Sequence, residues 1–205
     1  MNNYNKYLNY FKSKKKKPNY IIEQGVGNIM LSASHSVEQT RNGELKYGEY
    51  ETGALVKIIH DKTNCHIIYK AYNENDDANF DSKCKYKDAL IKYIKDNNIK
   101  YLIDLHQLSS DRNVEINIGT NYYKNLNNDK VFLNNVINAF KDFNISIDNP
   151  FAASNPNTVS ANISNNCKIP TLQIEMNTKL LNKDYKECCF ESILDVYTKI
   201  IKEYQ

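Results

Sequence analysis

With 205 residues, 41% of them hydrophobic and 25% charged, the chain has apolar material for one globular core and none of the bias of a disordered tail. A net charge of +3 is too small to argue for a nucleic-acid partner, and no apolar run nears the roughly 20 residues that cross a bilayer. Five cysteines, an odd number without a CxxC spacing, suggest neither a disulfide framework nor a cysteine zinc site. The N-terminus also lacks the apolar stretch of a secretory signal, so the expected location is the cytoplasm.

Residues 1–18 are rich in Asn, Lys and Tyr and carry the run Lys14 to Lys17, which is expected to be a solvated basic arm; residues 19–205 are expected to form a single α/β domain. From Tyr20 onward, short apolar runs alternate with segments of helical period, the signature of a largely parallel sheet covered by helices. The candidate strands are Tyr20–Glu23, Ile29–Ser34, His66–Tyr72, Tyr101–Leu105, Val114–Gly119, Ile145–Ile147 and Thr171–Met176. Candidate helices are Thr52–Lys62, Lys83–Asn97, Asp129–Phe143 with Asp129 as N-cap, and Cys189–Tyr204; each sets its apolar residues three and four apart. There is no internal repeat and no Gly-rich phosphate loop.

In open α/β sheets reacting groups collect just past the C-terminal ends of strands, and four such places hold unusual residues. Ser34-His35-Ser36 follows the apolar run from Ile29, and Asp104-Leu105-His106 ends the run from Tyr101. Strand alternation puts Asp104 and His106 on one side, so that the carboxylate can orient the imidazole. Two histidines at strand ends point to a metal, and a catalytic zinc commonly adds one carboxylate; Glu49 and Glu51 in the segment before the Thr52 helix are both available. In Thr171–Asn177, Gln173, Glu175 and Asn177 share a face. Of the 27 basic residues only Arg41 and Arg112 are arginine, as if a planar guanidinium were required at those two places.

The order of ASHS, RNGELKYGEYETGAL, NENDDANFD, YLIDLHQLSSDRNVEINIGT and IPTLQIEMN resembles the N-formylglutamate amidohydrolase family, from about Ile29 to Leu181. The resemblance implies a three-layer α/β sandwich with a mixed, mostly parallel sheet, similar to zinc carboxypeptidases, and one zinc ion. It implies His35, Glu49 and His106 as metal ligands, with Glu51 as the fallback carboxylate. It implies Glu175 as the general base that takes a proton from metal-activated water and hands it to the leaving amine. Arg112 matches the family's arginine before I-G-T, a group for an oxyanion or a substrate carboxylate, and Asn79, Arg41 and Asn177 are the expected substrate-binding residues. Phe80 stands where related enzymes have an arginine, Gln107 follows the D-L-H motif where glycine is usual, and Lys179 stands near the family's later arginine. These departures bear on the substrate. The resemblance therefore implies an enzyme cleaving a small-molecule N-acyl amino acid or a short peptide, with neither nucleic acid nor membrane as partner. A non-catalytic descendant that binds such a ligand as a sensor is the alternative.

Overall fold

The computed structural model describes residues 2–205. The first half of the chain forms α1 (Asn2–Lys12), β1 (Tyr20–Glu23), β2 (Val26–Ala33), the short strands β3 (Gln39–Arg41) and β4 (Glu44–Lys46), α2 (Tyr50–Thr63), β5 (Cys65–Lys70) and α3 (Lys85–Asp96). The second half forms β6 (Tyr101–Leu108), β7 (Ile116–Gly119), α4 (Lys130–Ala139), β8 (Ile145–Ile147), α5 (Val159–Cys167), β9 (Thr171–Asn177), α6 (Thr178–Leu181) and α7 (Phe190–Glu203).

Seven strands form the central sheet in the order β1-β5-β2-β6-β9-β7-β8. The neighbours β5, β2, β6 and β9 run parallel, β1 is antiparallel at one edge, and β7 pairs antiparallel with β9 and parallel with β8. This is the expected mixed, mostly parallel sheet. Period-two alternation sorts its side chains into two cores. Ile29, Leu31, Ile103, Leu105, Ile174 and Met176 pack beneath α1, α2, α4 and α7, whereas Met30, Ile68 and Leu102 pack beneath α3 and α5. Helices thus cover both faces, giving a three-layer α/β sandwich. The same alternation leaves Ser32, Asp104 and Glu175 on the α3 and α5 side, near the C-terminal ends of β2, β6 and β9.

Local chemistry fixes the helix ends. Asp129 caps α4 as expected, its side chain accepting from the Phe132 amide at 3.0 Å. Asn64 ends α2 in the left-handed region at φ 54°, which asparagine tolerates better than most residues. All seven strands expected from the sequence are present; β1 and β8 have the expected bounds, and the others differ by at most three residues at either end.

Helix α1, the β3–β4 hairpin, α5 and the short α6 are not among the expected elements. The N-terminal segment is no solvated arm through most of its length: α1 lies on α2, with Tyr4 and Phe11 buried in the larger core and the Tyr4 hydroxyl donating to the Leu181 carbonyl at 3.1 Å. Asn and Lys between its tyrosines mask an apolar stripe of period 3.6. The lysine run follows α1; Lys14 to Lys16 are exposed, and Lys17 turns back to donate to the Tyr10 carbonyl at 2.7 Å. The β3–β4 hairpin has no apolar alternation, and its signal was the turn pair Asn42-Gly43, both at positive φ. Helix α5 is short and full of Ser and Asn, with Thr158 accepting from the Ala161 amide as its cap.

Candidate metal centre

Strand β2 ends at Ala33, and the turn that follows carries His35 into the interior at 7% exposure. The chain returns through the β3–β4 hairpin, and the Glu49 amide donates to the His35 carbonyl at 2.8 Å. That bond places Glu49 immediately before α2, beside the histidine that precedes it by 14 positions. His106 arrives from β6, where its Cα is paired with that of Glu175 on the parallel neighbour β9. Adjacent strand ends and one helix start therefore bring four distant residues together.

The Glu49 carboxylate stands between the two imidazoles. Its Oε1 lies 3.0 Å from His35 Nδ1 and its Oε2 lies 3.2 Å from His106 Nδ1. The Gln107 amide donates to the same Oε2 at 3.0 Å. Candidate ligand atoms of His35, Glu49 and His106 lie within 4.8 Å of one another, the one such group of three found among the described residues. Glu51 is not in this group; it lies in the first turn of α2.

The far side of each ring is also fixed. His35 Nε2 lies 2.8 Å from Asp77 Oδ1, and His106 Nε2 lies 2.8 Å from Asp104 Oδ2. Asp77 and Asp104 are both fully buried. Arg41 Nε donates to the other Asp77 oxygen at 2.8 Å; Ser32 and Ser34 hydroxyls donate to Asp104 at 2.5 and 3.2 Å. A neutral imidazole with its Nε2 proton held by a carboxylate presents a lone pair at Nδ1, the state that ligates a metal. The donor set fits a zinc-type ion: two imidazole nitrogens, one carboxylate and two backing carboxylates.

Charges in the metal-free chain are tightly linked. Burial works against a charged His35, but the Glu49 carboxylate and the hydrogen bond to Asp77 outweigh it and hold the ring's pKa up at about 9. His106 rises well above its usual value for the same reason, burial being overcome by Asp104 and Glu49. Glu49 is pulled down to about 2, because His106 and His35 more than offset its own burial. Glu175 goes the other way: burial, reinforced by the Glu49 charge, lifts it to about 7 against the pull of both histidines.

These groups open on a cavity of about 520 Å³ lined by His35, Glu49, His106 and Glu175, with Arg41, Asn79, Phe80, Gln107 and Gln173 around them. The segment 150–155 and Thr158 complete the wall. Arg41 lies over the Phe80 ring at 4.8 Å, and Gln173 donates to Glu175 Oε1 at 2.8 Å. Asn79 lines the cavity, but its oxygen accepts from the Val159 amide at 2.7 Å. Two residues expected at the site stand elsewhere. Arg112 is exposed, with its guanidinium 5.5 Å from the Phe151 ring, and is not part of the wall. Asn177 donates to the carbonyls of Ser109, Arg112 and Val114, which makes it a fastener of the loop after β6. Asp77 is not among the residues expected at the site, and the acidic doublet Asp76-Asp77 after β5 is its signal in the sequence.

No known family model matches the sequence, and no curated protein matches it. Solved structures do. N-formylglutamate amidohydrolase from Ralstonia eutropha JMP134 superposes with a TM-score of 0.66 over 92% of this chain and 98% of its own, at 8% identity. The fold is shared with N-formylglutamate amidohydrolase. A bacteriophage poly-gamma-glutamate hydrolase gives a TM-score of 0.57 at 11% identity, covering 93% of this chain and 92% of its own. A putative carboxypeptidase A from Shewanella denitrificans OS-217 gives 0.52 at 11% identity, over 97% of this chain and 67% of its own. At such identities the N-formylglutamate amidohydrolase likeness speaks for the fold, and the chemistry rests on the residues of this chain.

Proposed function

We propose that this protein is a cytoplasmic, one-zinc amide hydrolase that cleaves an N-acyl amino acid or a short peptide amide. The observation that carries this reading is the pair of imidazoles with Nδ1 atoms flanking Glu49 and Nε2 atoms on buried carboxylates, on a cavity shared with Glu175. His35, Glu49 and His106 hold the ion. When bound, zinc supplies a Lewis acid that polarises the scissile carbonyl and makes water acidic near neutral pH.

Glu175 takes the proton of the attacking water at its carboxylate and passes it to the leaving nitrogen as the tetrahedral carbon collapses. Burial that lifts its pKa to about 7 suits both directions of that transfer. Gln173 keeps one Glu175 oxygen engaged, which orients the other. Arg41, locked through Nε to Asp77, turns the remainder of its guanidinium to the substrate's anionic end. One catalytic domain that includes α1 carries the whole reaction. The hydrolase names of the fold relatives support this reading.

Purified protein is expected to carry about one zinc per chain and to release amine from N-acyl amino acids or dipeptides. Glu175→Gln is expected to keep the zinc and lose roughly 10²- to 10⁴-fold in kcat, the usual range for a general base. Zinc and ligand binding without turnover in the unmodified protein would replace this reading with the sensor. Metal-free protein that stays active after His106→Ala would remove both.

A further inference from the structure

Lys87 occupies an unfavourable place for a cation. It lies in the first turn of α3, at the positive end of the helix dipole, and is 1% exposed. No carboxylate among the described residues forms an ion pair with it. Its ammonium instead donates to two main-chain carbonyls, Asp81 at 2.5 Å and Asn157 at 2.6 Å. Those carbonyls belong to two loops that both contribute residues to the cavity wall. Asp81 follows Asn79 and Phe80, which line the cavity, and Asn157 sits between the lining residues Asn155 and Thr158. Nearby, Asn79 Oδ1 accepts the Val159 amide, a second tie between the same two loops.

We infer that Lys87 is a positioning residue for the substrate cavity: its buried ammonium pins the Asn79–Phe80 loop to the 150–158 loop and so sets the gap a substrate must fit. An apolar side chain cannot do this, because both partners are acceptors and need donors from the same atom. Neither bonded carbonyl belongs to a residue that contacts an imidazole, and the nearest link to the cluster is the Asp77 amide, which donates to Asp81 Oδ2 at 2.8 Å. The inference rests on the proposed reading in taking this cavity as the substrate's.

The test is Lys87→Met, which keeps the length and removes the donors, studied beside Lys87→Arg, which keeps donors on a longer arm. The expected result for Lys87→Met is a KM raised tenfold or more with kcat within about threefold, and zinc content equal to that of the unmodified protein. Amide hydrogen exchange should accelerate in residues 79–84 and 150–158 and stay slow in β6 and β9. Lys87→Arg should fall between the two proteins in KM. An unchanged KM in folded Lys87→Met, or exchange that rises uniformly through the core, would overturn the inference and leave Lys87 a stabilising residue only. If Lys87→Met does not fold, Lys87→Arg decides: a KM shift of threefold or more supports the positioning role, and none removes it. Should the unmodified protein hydrolyse no amide at all, the proposed function fails, while the exchange data still decide whether Lys87 ties the two loops.

Discussion

Each imidazole at the centre divides its two nitrogens between Glu49 on one side and a buried aspartate on the other, and the proton on the Glu49 side is what a metal must displace. In the metal-free chain His35, lifted from 6.5 to about 9, keeps its proton at neutral pH, and His106 does so more firmly. A histidine raised in the folded state contributes stability that is fully present below about pH 6.5 and is lost as pH rises through about 9. Two outcomes follow for this chain. The melting temperature of chelator-treated protein falls between pH 6.5 and 9, and zinc binding at pH 7.5 releases at least one proton, read by calorimetry in buffers of different ionisation heat. Zinc binding without proton release would contradict the charge pattern. The backing carboxylates have their own expected signature: Asp77→Asn keeps all three ligands yet weakens zinc roughly 10- to 100-fold in chelator competition. Sequence legibility divides along the same line. His35, Glu49 and His106 could be singled out because a strand end or helix start betrays them, whereas Asp77 acts through contact with a ring 42 positions away, which no local pattern encodes.

At the scale of elements, α2 is the part on which the centre depends, because Glu49 is the residue from which it starts. Gly53 lets it sit where it does. A methyl group at this position would lie 2.7 Å from both the Phe11 ring of α1 and the Ser36 Cβ next to His35. Gly53→Ala is therefore expected to cost about 1 to 3 kcal/mol by overpacking, and Phe11→Ala about 3 to 5 kcal/mol by emptying a core position. The double variant should cost less than the two together by roughly 0.5 to 3 kcal/mol, because the new methyl then enters space the ring has left. Urea denaturation measures all three; strict additivity would show that α1 and the His35 turn do not meet at Gly53. The helices that a sequence reader finds are those whose apolar stripe is uninterrupted, as in α7. Helix α1 was missed because its burial runs through tyrosines, half polar by composition, and α5 because nine residues of Ser, Asn and small apolar types carry almost no period.

Across the whole molecule, the parallel run β5-β2-β6-β9 places three chemically loaded strand ends side by side, and only the strand order makes them neighbours. Periodicity revealed the seven strands but not that order: hydrophobic alternation says which face of a strand is buried and nothing about which strand lies next to it. The five ordered segments that resemble the amidohydrolase family supplied the missing adjacency. The centre thus draws on positions 35, 49 and 106, so an ion held there ties the His35 turn and the start of α2 to the end of β6 and binds only the folded chain. Such a ligand stabilises by mass action, by about 4 kcal/mol when free zinc is a thousandfold above its dissociation constant. In a domain of this size each kcal/mol moves the melting temperature by roughly 2 to 4 °C, so zinc addition to chelated protein should raise it by about 8 to 16 °C. His106→Ala should abolish that rise, because only one imidazole and a carboxylate remain. Glu175→Gln should preserve it, because Glu175 lines the same cavity but is not in the His35, Glu49 and His106 group. A melting temperature indifferent to zinc and chelator in the unmodified protein would mean that the cluster holds no ion, whatever its resemblance to one that does.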